Sequence, residues 1–184
     1  DRLGQSVSMP DANTVVVGAT QPAALFDGGY VRIYKWNGTA WVQKGTDILS
    51  EAPDDRFGAS VSMPDTNTVA IGASNNDGNG LNAAGHVRIY EWNGSDWAQK
   101  GTDIDGETQF NFSGTSVSMP DANTVAIGAP NNNGQGIINC GHVRVYQWNG
   151  VAWVQKGGDI DGEATQDLSG SSVSMPDANT VAIG

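Results

Sequence analysis

The sequence predicts an all-β protein built from tandem repeats. Strong helix formers are scarce among the 184 residues, with only 5 Leu and 4 Glu, whereas 16 Asp, 16 Asn and 25 Gly are suited to turns. The segment Ser-Val-Ser-Met-Pro begins at Ser6, Ser60, Ser116 and Ser172, with spacings of 54, 56 and 56 residues. Self-similarity at a fixed period indicates a repeat architecture. The chain therefore holds about 3.3 copies of a 56-residue unit.

The repeat phase divides the chain into three units and the first half of a fourth. These are residues 1–54, 55–110, 111–166 and 167–184, which we treat as one continuous array. The first unit is two residues shorter than the others, and the loss falls between Ser6 and Gly29. We expect a surface loop there, because loops tolerate deletions.

Each unit contains four predicted strands, described here for the second unit. Alternating residues predict a first strand at 59–63, which Pro64 ends because proline cannot donate to a ladder. Residues 68–73 and 86–92 are the next two strands, separated by a loop rich in Gly and Asn. Asn93-Gly94 is a strong hairpin signal and predicts the fourth strand at 97–101. Residues 102–113 then link to the following unit.

Four antiparallel strands in tandem units are typical of β-propeller blades. In the third strand Val87 and Ile89 lie on one face, and Tyr90 and Trp92 lie on the other. Bulky side chains on both faces predict a sheet packed between two neighbours. A ring needs about four to eight blades, so the sequence predicts an incomplete ring or an open array that is part of a longer or assembled one. A β-solenoid is the alternative, although its coils usually repeat in fewer residues.

Charge and cysteine content narrow the function classes. The net charge is −11 and no basic cluster occurs, which disfavours binding to nucleic acid or to anionic membranes. The sequence has no run of 18 apolar residues, so it predicts no membrane span. The single Cys140 excludes an internal disulfide and any multi-cysteine metal site. Gly28 and Ala84 hold the same repeat position, so we interpret Cys140 as a small packing residue.

Several segments resemble the FG-GAP repeat, which forms the blades of the integrin α-subunit propeller. Phe57-Gly58 and 128–130, Gly-Ala-Pro, match the two halves of the name motif, and 141–146 resembles a family strand. The likeness recurs along the whole chain, although Leu3, Ser113 and Ser169 replace the Phe. The resemblance implies a non-enzymatic extracellular or cell-surface protein that serves adhesion or recognition. Its ligand is then expected to be an extracellular protein or a carbohydrate.

The calcium loop of integrin-type blades does not carry over to this chain. That loop lies between the first two strands, where this chain has only the short turn 64–67. A different acidic segment follows the fourth strand, and its spaced carboxylates with a glycine could bind calcium. The candidate ligands are Asp103, Asp105, Glu107, Asp159, Asp161 and Glu163. The alternative is a solvated turn between blades.

No constellation for catalysis stands out from the repeated positions. His86 and His142 share one repeat position, which Tyr30 fills in the first unit. We interpret them as strand residues on a packed face. No nucleophile elbow, zinc-protease motif or phosphate loop occurs, and we predict that the chain is not an enzyme. Some of the arginines at 32, 88 and 144 are predicted to pair between blades with acids such as those at 11, 65 and 121.

Two tryptophans flank each hairpin turn. They are Trp36, Trp41, Trp92, Trp97, Trp148 and Trp153. Indole rings at a hairpin tip could stack on sugar rings and bind a carbohydrate. Alternatively, they pair across the hairpin and pad the next blade.

Three sequons are candidates for glycosylation. Asn37 and Asn93 lie in the hairpin turns, and Asn111 lies in a linker. Since Asn-Gly is also required by the hairpin, chance accounts equally well for the first two.

Three functions are compatible with these features. The first is adhesion or recognition by a non-enzymatic FG-GAP-like repeat protein. The second is a structural filament or array in which other copies or further repeats continue head to tail. The first and last 18 residues share one repeat phase, and an open array leaves strand edges that can pair with another chain. The third is a binding domain attached to a secreted enzyme.

Overall fold

The computed structural model describes residues 2–20 and 28–184, and it is all-β in these ranges. The loop predicted at the two-residue deletion includes 21–27, which lie outside the described residues. The strands are β1 (Arg2–Asp11), β2 (Thr14–Thr20), β3 (Tyr30–Trp36), β4 (Trp41–Gln43), β5 (Ile48–Leu49), β6 (Phe57–Asp65), β7 (Thr68–Ala73), β8 (His86–Trp92), β9 (Trp97–Gln99), β10 (Ile104–Asp105), β11 (Ser116–Asp121), β12 (Thr124–Ala129), β13 (His142–Trp148), β14 (Trp153–Gln155), β15 (Ile160–Asp161), β16 (Val173–Asp177) and β17 (Thr180–Ile183).

The strands form one antiparallel sheet per repeat. Strands β1–β5, β6–β10 and β11–β15 make three five-stranded sheets, and β16 pairs with β17. In each five-stranded sheet the first four strands pair in chain order, and the short fifth strand pairs with the third on the same edge as the fourth. Short 3₁₀ turns at Gly78–Gly80 and Gly134–Gly136 lie in the loops before β8 and β13. The predicted blade architecture is confirmed as an open, propeller-like array. Within the described ranges, no helix is long and apolar enough to cross a membrane.

The predicted fourth strand is divided into two short strands on the same edge. In the second sheet, Tyr90 pairs with Gln99 in β9, whereas Val87 pairs with Ile104 in β10. Between them the chain turns away at Gly101, whose φ of +82° favours glycine. The prediction of one strand at 97–101 and a plain linker from 102 was therefore wrong. Ile104 and Asp105, near the start of the acidic segment, are therefore part of the sheet.

The first strand of the second sheet continues beyond Pro64, where the sequence predicted its end. Its pairing with β7 shifts register between Ser62 and Asp65, which indicates a bulge. Strand β6 is at the edge of its sheet, so the missing N–H of Pro64 is tolerated there.

Successive sheets stack face to face around shared apolar cores. One core joins Val31 and Ile33 of the first sheet to Phe57 and Ile71 of the second, all fully buried. The next core joins the opposite face of the second sheet to the third sheet through residues that include Ile89 and Val125. Each inner sheet is thus packed on both faces, as the bulky third strand predicted.

A serine in each first strand ties neighbouring sheets together. Ser60 Oγ donates a 2.7 Å hydrogen bond to the carbonyl oxygen of Gly114 in the next repeat. Gly72 lies beside this contact, and a Cβ on it would be 2.1 Å from the Gly114 oxygen. Ser6 and Ser116 make the equivalent bonds to Gly58 and Gly170. The repeated Ser and Gly therefore set how closely the sheets approach.

Candidate functional site

A cluster of charged side chains lies at the boundary between the first and second repeats. His86 and Arg88 come from β8 and lie on the same face of that strand. Asp103 and Asp105 flank Ile104 in the short strand β10, and Asp105 is directly opposite His86 in the register. Glu51 reaches the cluster from the end of the first repeat. The broken fourth strand therefore brings the acidic segment to the histidine.

Arg88 holds the two nearest carboxylates of this cluster. Its Nε and Nη2 donate to the two oxygens of Asp103 at 2.8 and 2.7 Å, a bidentate pair. Its Nη2 also contacts Glu51 Oε2. The other Glu51 oxygen, Oε1, accepts a 2.8 Å hydrogen bond from Asn76 Nδ2. These bonds orient Glu51 and Asp103 toward the same point.

His86 is buried beside these carboxylates without a hydrogen bond. Its side chain is only 1% exposed, and neither ring nitrogen has a hydrogen-bond partner among the described residues. Nδ1 lies 3.8 Å from Glu51 Oε1 and 3.7 Å from Asp103 Oδ2. The three ligand atoms are all within 4.8 Å of one another, and they could hold a metal ion.

The electrostatics of the cluster are dominated by excess negative charge. Burial, together with the charges of Asp103 and Glu51, raises the pKa of Asp105. Burial would also raise the pKa of Asp103, but hydrogen bonds from Arg88 and Gln99 outweigh it and the pKa is lowered. Burial and the nearby Arg88 lower the pKa of His86, so the neutral imidazole is favoured at pH 7.

The same arrangement recurs one repeat later. Glu107, His142 and Asp159 bring their ligand atoms within 4.8 Å of one another. His142 Nδ1 lies 3.7 Å from Asp159 Oδ2 and 4.0 Å from Asp161 Oδ1, and neither Nδ1 nor Asp161 Oδ1 has a hydrogen-bond partner in the described ranges. Arg144 contacts Glu107, and its Nε donates a 2.9 Å hydrogen bond to Asp159 Oδ1.

Five of the six predicted calcium ligands are divided between the two clusters. Asp103 and Asp105 lie beside His86, whereas Glu107 reaches the next repeat and contacts Arg144. Asp159 and Asp161 similarly lie beside His142, and Glu163 is exposed. Neither acidic segment therefore forms a single loop of oxygen ligands. The pairing of its short strand holds the two aspartates in the sheet and separates them from the glutamate. Calcium binding itself stays a prediction.

The predicted arginine partners were wrong. Asp65 accepts a 2.7 Å hydrogen bond from the backbone N–H of Asn67 and shapes its own turn, as Asp11 and Asp121 do in theirs. Each arginine bonds an aspartate of its own repeat instead. Arg88 and Arg144 also pair with a glutamate of the preceding repeat, so pairing between repeats does occur, but with other acids.

The second and third tryptophan pairs lie against the preceding repeat. Trp92 and Trp97 pack edge to face with ring centroids 5.5 Å apart. Trp97 Nε1 donates a 2.8 Å hydrogen bond to the Lys44 carbonyl, and Lys44 Nζ lies 4.7 Å from the Trp92 ring centroid. Trp153 makes the equivalent bond to Lys100. The first pair, Trp36 and Trp41, is 37% and 44% exposed.

The comparison with protein families matches this repeat unit. Residues 51–90 match a family model described as the FG-GAP repeat. The second repeat unit therefore resembles an FG-GAP repeat. The matched segment runs from Glu51 through β6 and β7 to Tyr90 in β8, so it includes His86 and Arg88. No curated protein matches the chain significantly.

The FG-GAP match supports a coarse functional statement. Such repeats suggest a propeller-like recognition or adhesion module, and the family is generally non-enzymatic and typical of extracellular proteins. The match is to the repeat itself, and the narrower likeness to integrin α subunits stays a prediction.

The sequons differ in accessibility. Asn37 and Asn93 are exposed at turn tips, where each side-chain oxygen accepts a hydrogen bond from a backbone N–H two residues later at 2.9 Å. Asn111 is only 2% exposed and its Nδ2 is buried, so a glycan on it does not fit this structure. The folded chain thus exposes Asn37 and Asn93 and buries Asn111, and glycosylation itself stays a prediction.

A cleft crosses all three FG-GAP-like repeats. Its volume is about 380 Å³. The lining residues are Arg2, Gln5, Thr20, Arg56, Ala59, Ser74, Phe112 and Thr115. Both arginines are exposed, in a chain whose net charge is −11. The cleft thus offers two of the nine basic side chains together with hydroxyl groups and one aromatic ring.

Sequence reasoning did not place Glu51 beside His86. Two signals in the sequence point to them. A glutamate recurs at 51, 107 and 163, each 56 residues apart, and the histidines share one position. The sequence does not show that the glutamate of one FG-GAP-like unit contacts the histidine of the next, because this contact forms only when the sheets stack.

Proposed function

We propose that this chain is a non-enzymatic, extracellular recognition and adhesion module whose cleft binds an acidic segment of another extracellular protein. The observation that carries the proposal is the cleft lined by Arg2 and Arg56. A guanidinium can bind a carboxylate through two parallel hydrogen bonds, and Thr20 and Ser74 supply further polar groups. Cleft residues from three repeats allow one ligand to contact a surface that no single repeat provides.

A protein ligand is favoured over a carbohydrate by the tryptophan contacts. Trp97 and Trp153 each donate their indole N–H to a carbonyl of the preceding repeat. Their rings are partly buried against the cores between sheets. Rings held in this way have little free face for stacking on sugars, whereas Phe112 and Ala59 in the cleft suit an apolar side chain near the acid.

Binding of a labelled, Asp- and Glu-rich peptide tests the proposal by fluorescence anisotropy. We expect saturable binding that weakens with added salt and at least about tenfold in Arg56→Ala. Lys35→Ala is the matched control, because Lys35 is also exposed and basic but lies outside the cleft lining. Equal weakening by both variants would contradict the cleft assignment. Binding of an acidic polysaccharide with no peptide binding would show a carbohydrate ligand instead.

A second candidate function, the structural array, is favoured by the outer face of the first sheet. Val7 and Met9 are 62% and 55% exposed there, whereas the equivalent Val61 and Met63 are 9% and 4% exposed under a neighbouring sheet. The face has the composition of a contact between repeats. We propose that a sheet of the same type, from a further repeat or from a second copy, covers it in a head-to-tail array.

Solution mass measured against concentration tests the array. We expect oligomers that grow with concentration and that are lost in Met9→Lys. Val151→Lys is the control, since Val151 is 83% exposed at a hairpin tip. A monomer at every concentration would contradict the filament and leave recognition as the function.

A further inference from the structure

We propose that the chain binds two zinc-class divalent cations at the boundaries between repeats, one held by Glu51, His86 and Asp103 and the other by Glu107, His142 and Asp159. Each site joins a glutamate of one repeat to a histidine and an aspartate of the next. The proposal is independent of the ligand-binding cleft, which shares no residue with either site.

The buried histidine is the observation that distinguishes this cluster from an ordinary group of surface acids. An imidazole that is 1% exposed loses its hydration and normally gains a hydrogen bond in return. His86 has none among the described residues, and its Nδ1 points at two carboxylate oxygens that are beyond hydrogen-bond distance. A metal ion between the three atoms would supply the missing partner for Nδ1.

The distances fit a small coordination sphere. Zinc binds imidazole nitrogen and carboxylate oxygen at about 2.0–2.2 Å, so tetrahedral ligand atoms lie roughly 3.3–3.5 Å apart. The separations from His86 Nδ1 are 3.7 and 3.8 Å, and closing them requires shifts of a few tenths of an ångström. Glu51 is 45% and Asp103 is 26% exposed at the side chain, which provides a path for the ion and a position for water.

The excess of negative charge in the cluster also favours the binding of a cation. Glu51, Asp103 and Asp105 surround a single guanidinium, that of Arg88, and Asp55 also acts electrostatically on His86. A divalent ion would offset the excess negative charge. Arg88, Gln99 and Asn76 bond the ligand carboxylates and orient them, the role that outer partners have in metal sites.

The first repeat serves as an internal comparison. There Tyr30 replaces the histidine and Leu49 replaces the second aspartate. Arg32 bonds Asp47 in a bidentate pair, as Arg88 bonds Asp103. The second aspartate of the segment thus occurs in the two repeats that carry histidine. A nitrogen ligand among oxygen ligands favours zinc over calcium, which prefers oxygen alone.

Zinc titration of the metal-free chain tests the proposal. We expect two equivalents per chain by calorimetry, a melting temperature that rises with zinc, and shifts of both imidazole ¹⁵N signals. The chain has only two histidines, so each signal reports one site. Absence of any imidazole shift at excess zinc would overturn the proposal, and this measurement needs no variant. Calcium binding without imidazole shifts would also overturn it.

Paired variants assign the sites. His86→Tyr combined with Asp105→Leu gives the second repeat the residues that the first repeat has at 30 and 49. We expect it to fold, to bind one equivalent of zinc and to keep the His142 shift. His86→Gln with His142→Gln should bind none. Retention of two equivalents in either variant would place zinc elsewhere and contradict the assignment.

Discussion

The indole Nε1 of Trp97 donates a 2.8 Å hydrogen bond to the backbone carbonyl of Lys44, 53 residues earlier in the chain. The Lys44 ammonium in turn lies over the rings of Trp92 and Trp97 and reaches Asn67 Oδ1 at 2.9 Å. The aromatic hairpin of one repeat is thereby fastened to the turn that ends the fourth strand of the repeat before it.

Removal of the Trp97 ring is expected to destabilise the boundary between the first two repeats. Trp97→Ala loses the hydrogen bond, the packing on the shared core and the cation–π contact, and we expect a loss of about 2–3 kcal/mol in the free energy of unfolding. Urea denaturation measures it. Trp41→Ala is the control, because Trp41 is 44% exposed, and its cost should stay below about 1 kcal/mol. Equal losses of unfolding free energy in the two variants would show that the contact between repeats does not stabilise the fold.

Addition of a methyl group at Gly72 is expected to force two sheets apart. The new Cβ would lie 2.1 Å from the Gly114 oxygen and 2.3 Å from Ser60 Oγ, so we expect Gly72→Ala to cost at least about 3 kcal/mol. Thermal melting measures the effect. Gly158→Ala has nothing within 4 Å of its Cβ and should change stability by less than about 1 kcal/mol. A tolerated Gly72→Ala would mean that the sheets are spaced more loosely.

Asp96 is expected to stabilise the fold in a pH-dependent way. Hydrogen bonds from the backbone N–H and the hydroxyl of Thr46 lower the pKa of Asp96 below its usual value of 3.8. Because the folded pKa is the lower one, this stabilisation is present above the unfolded pKa and is lost as the pH falls through the folded pKa.

Thermal melts of Asp96→Ala at two pH values test this contribution. Ala40 and Ala152 hold the same position in the other repeats, so the variant should fold. We expect it to melt below the original chain at pH 7 and together with it at pH 2. In a Thr46→Val background, Asp96→Ala should lower the melting temperature at pH 7 by a smaller amount. A melting difference that persists unchanged at pH 2 would point to packing instead.

Cys140 is expected to be inert in the folded chain. Its side chain is fully buried, and Sγ lies 3.5 Å from the Gly134 carbonyl oxygen. We expect a thiol reagent such as dithionitrobenzoate to react slowly under native conditions and fast in guanidinium chloride. Cys140→Ala, which is the residue at 84 in the second repeat, should leave the melting temperature nearly unchanged. Fast native labelling would contradict the packing interpretation.

The repeat and most strands could be predicted from local patterns. The strands at 68–73 and 86–92 were predicted within their observed bounds, because alternation and turn residues are local features. Pro64 was misleading, since proline ends only strands that need its N–H, and β6 lies at a sheet edge. The divided fourth strand was missed because β9 and β10 are three and two residues long, too short for any periodicity.

The candidate metal sites depend on contacts between repeats. The sequence by itself determined a 56-residue unit, its strands and hairpins, and the spacing at which each functional side chain recurs. Only the tertiary structure decided that Glu51 meets His86 and Asp103, and that Glu107 leaves its neighbours to join the next cluster. The physical reason is that strand pairing follows from residues close in sequence, whereas the stacking of sheets brings together side chains 35 or more residues apart.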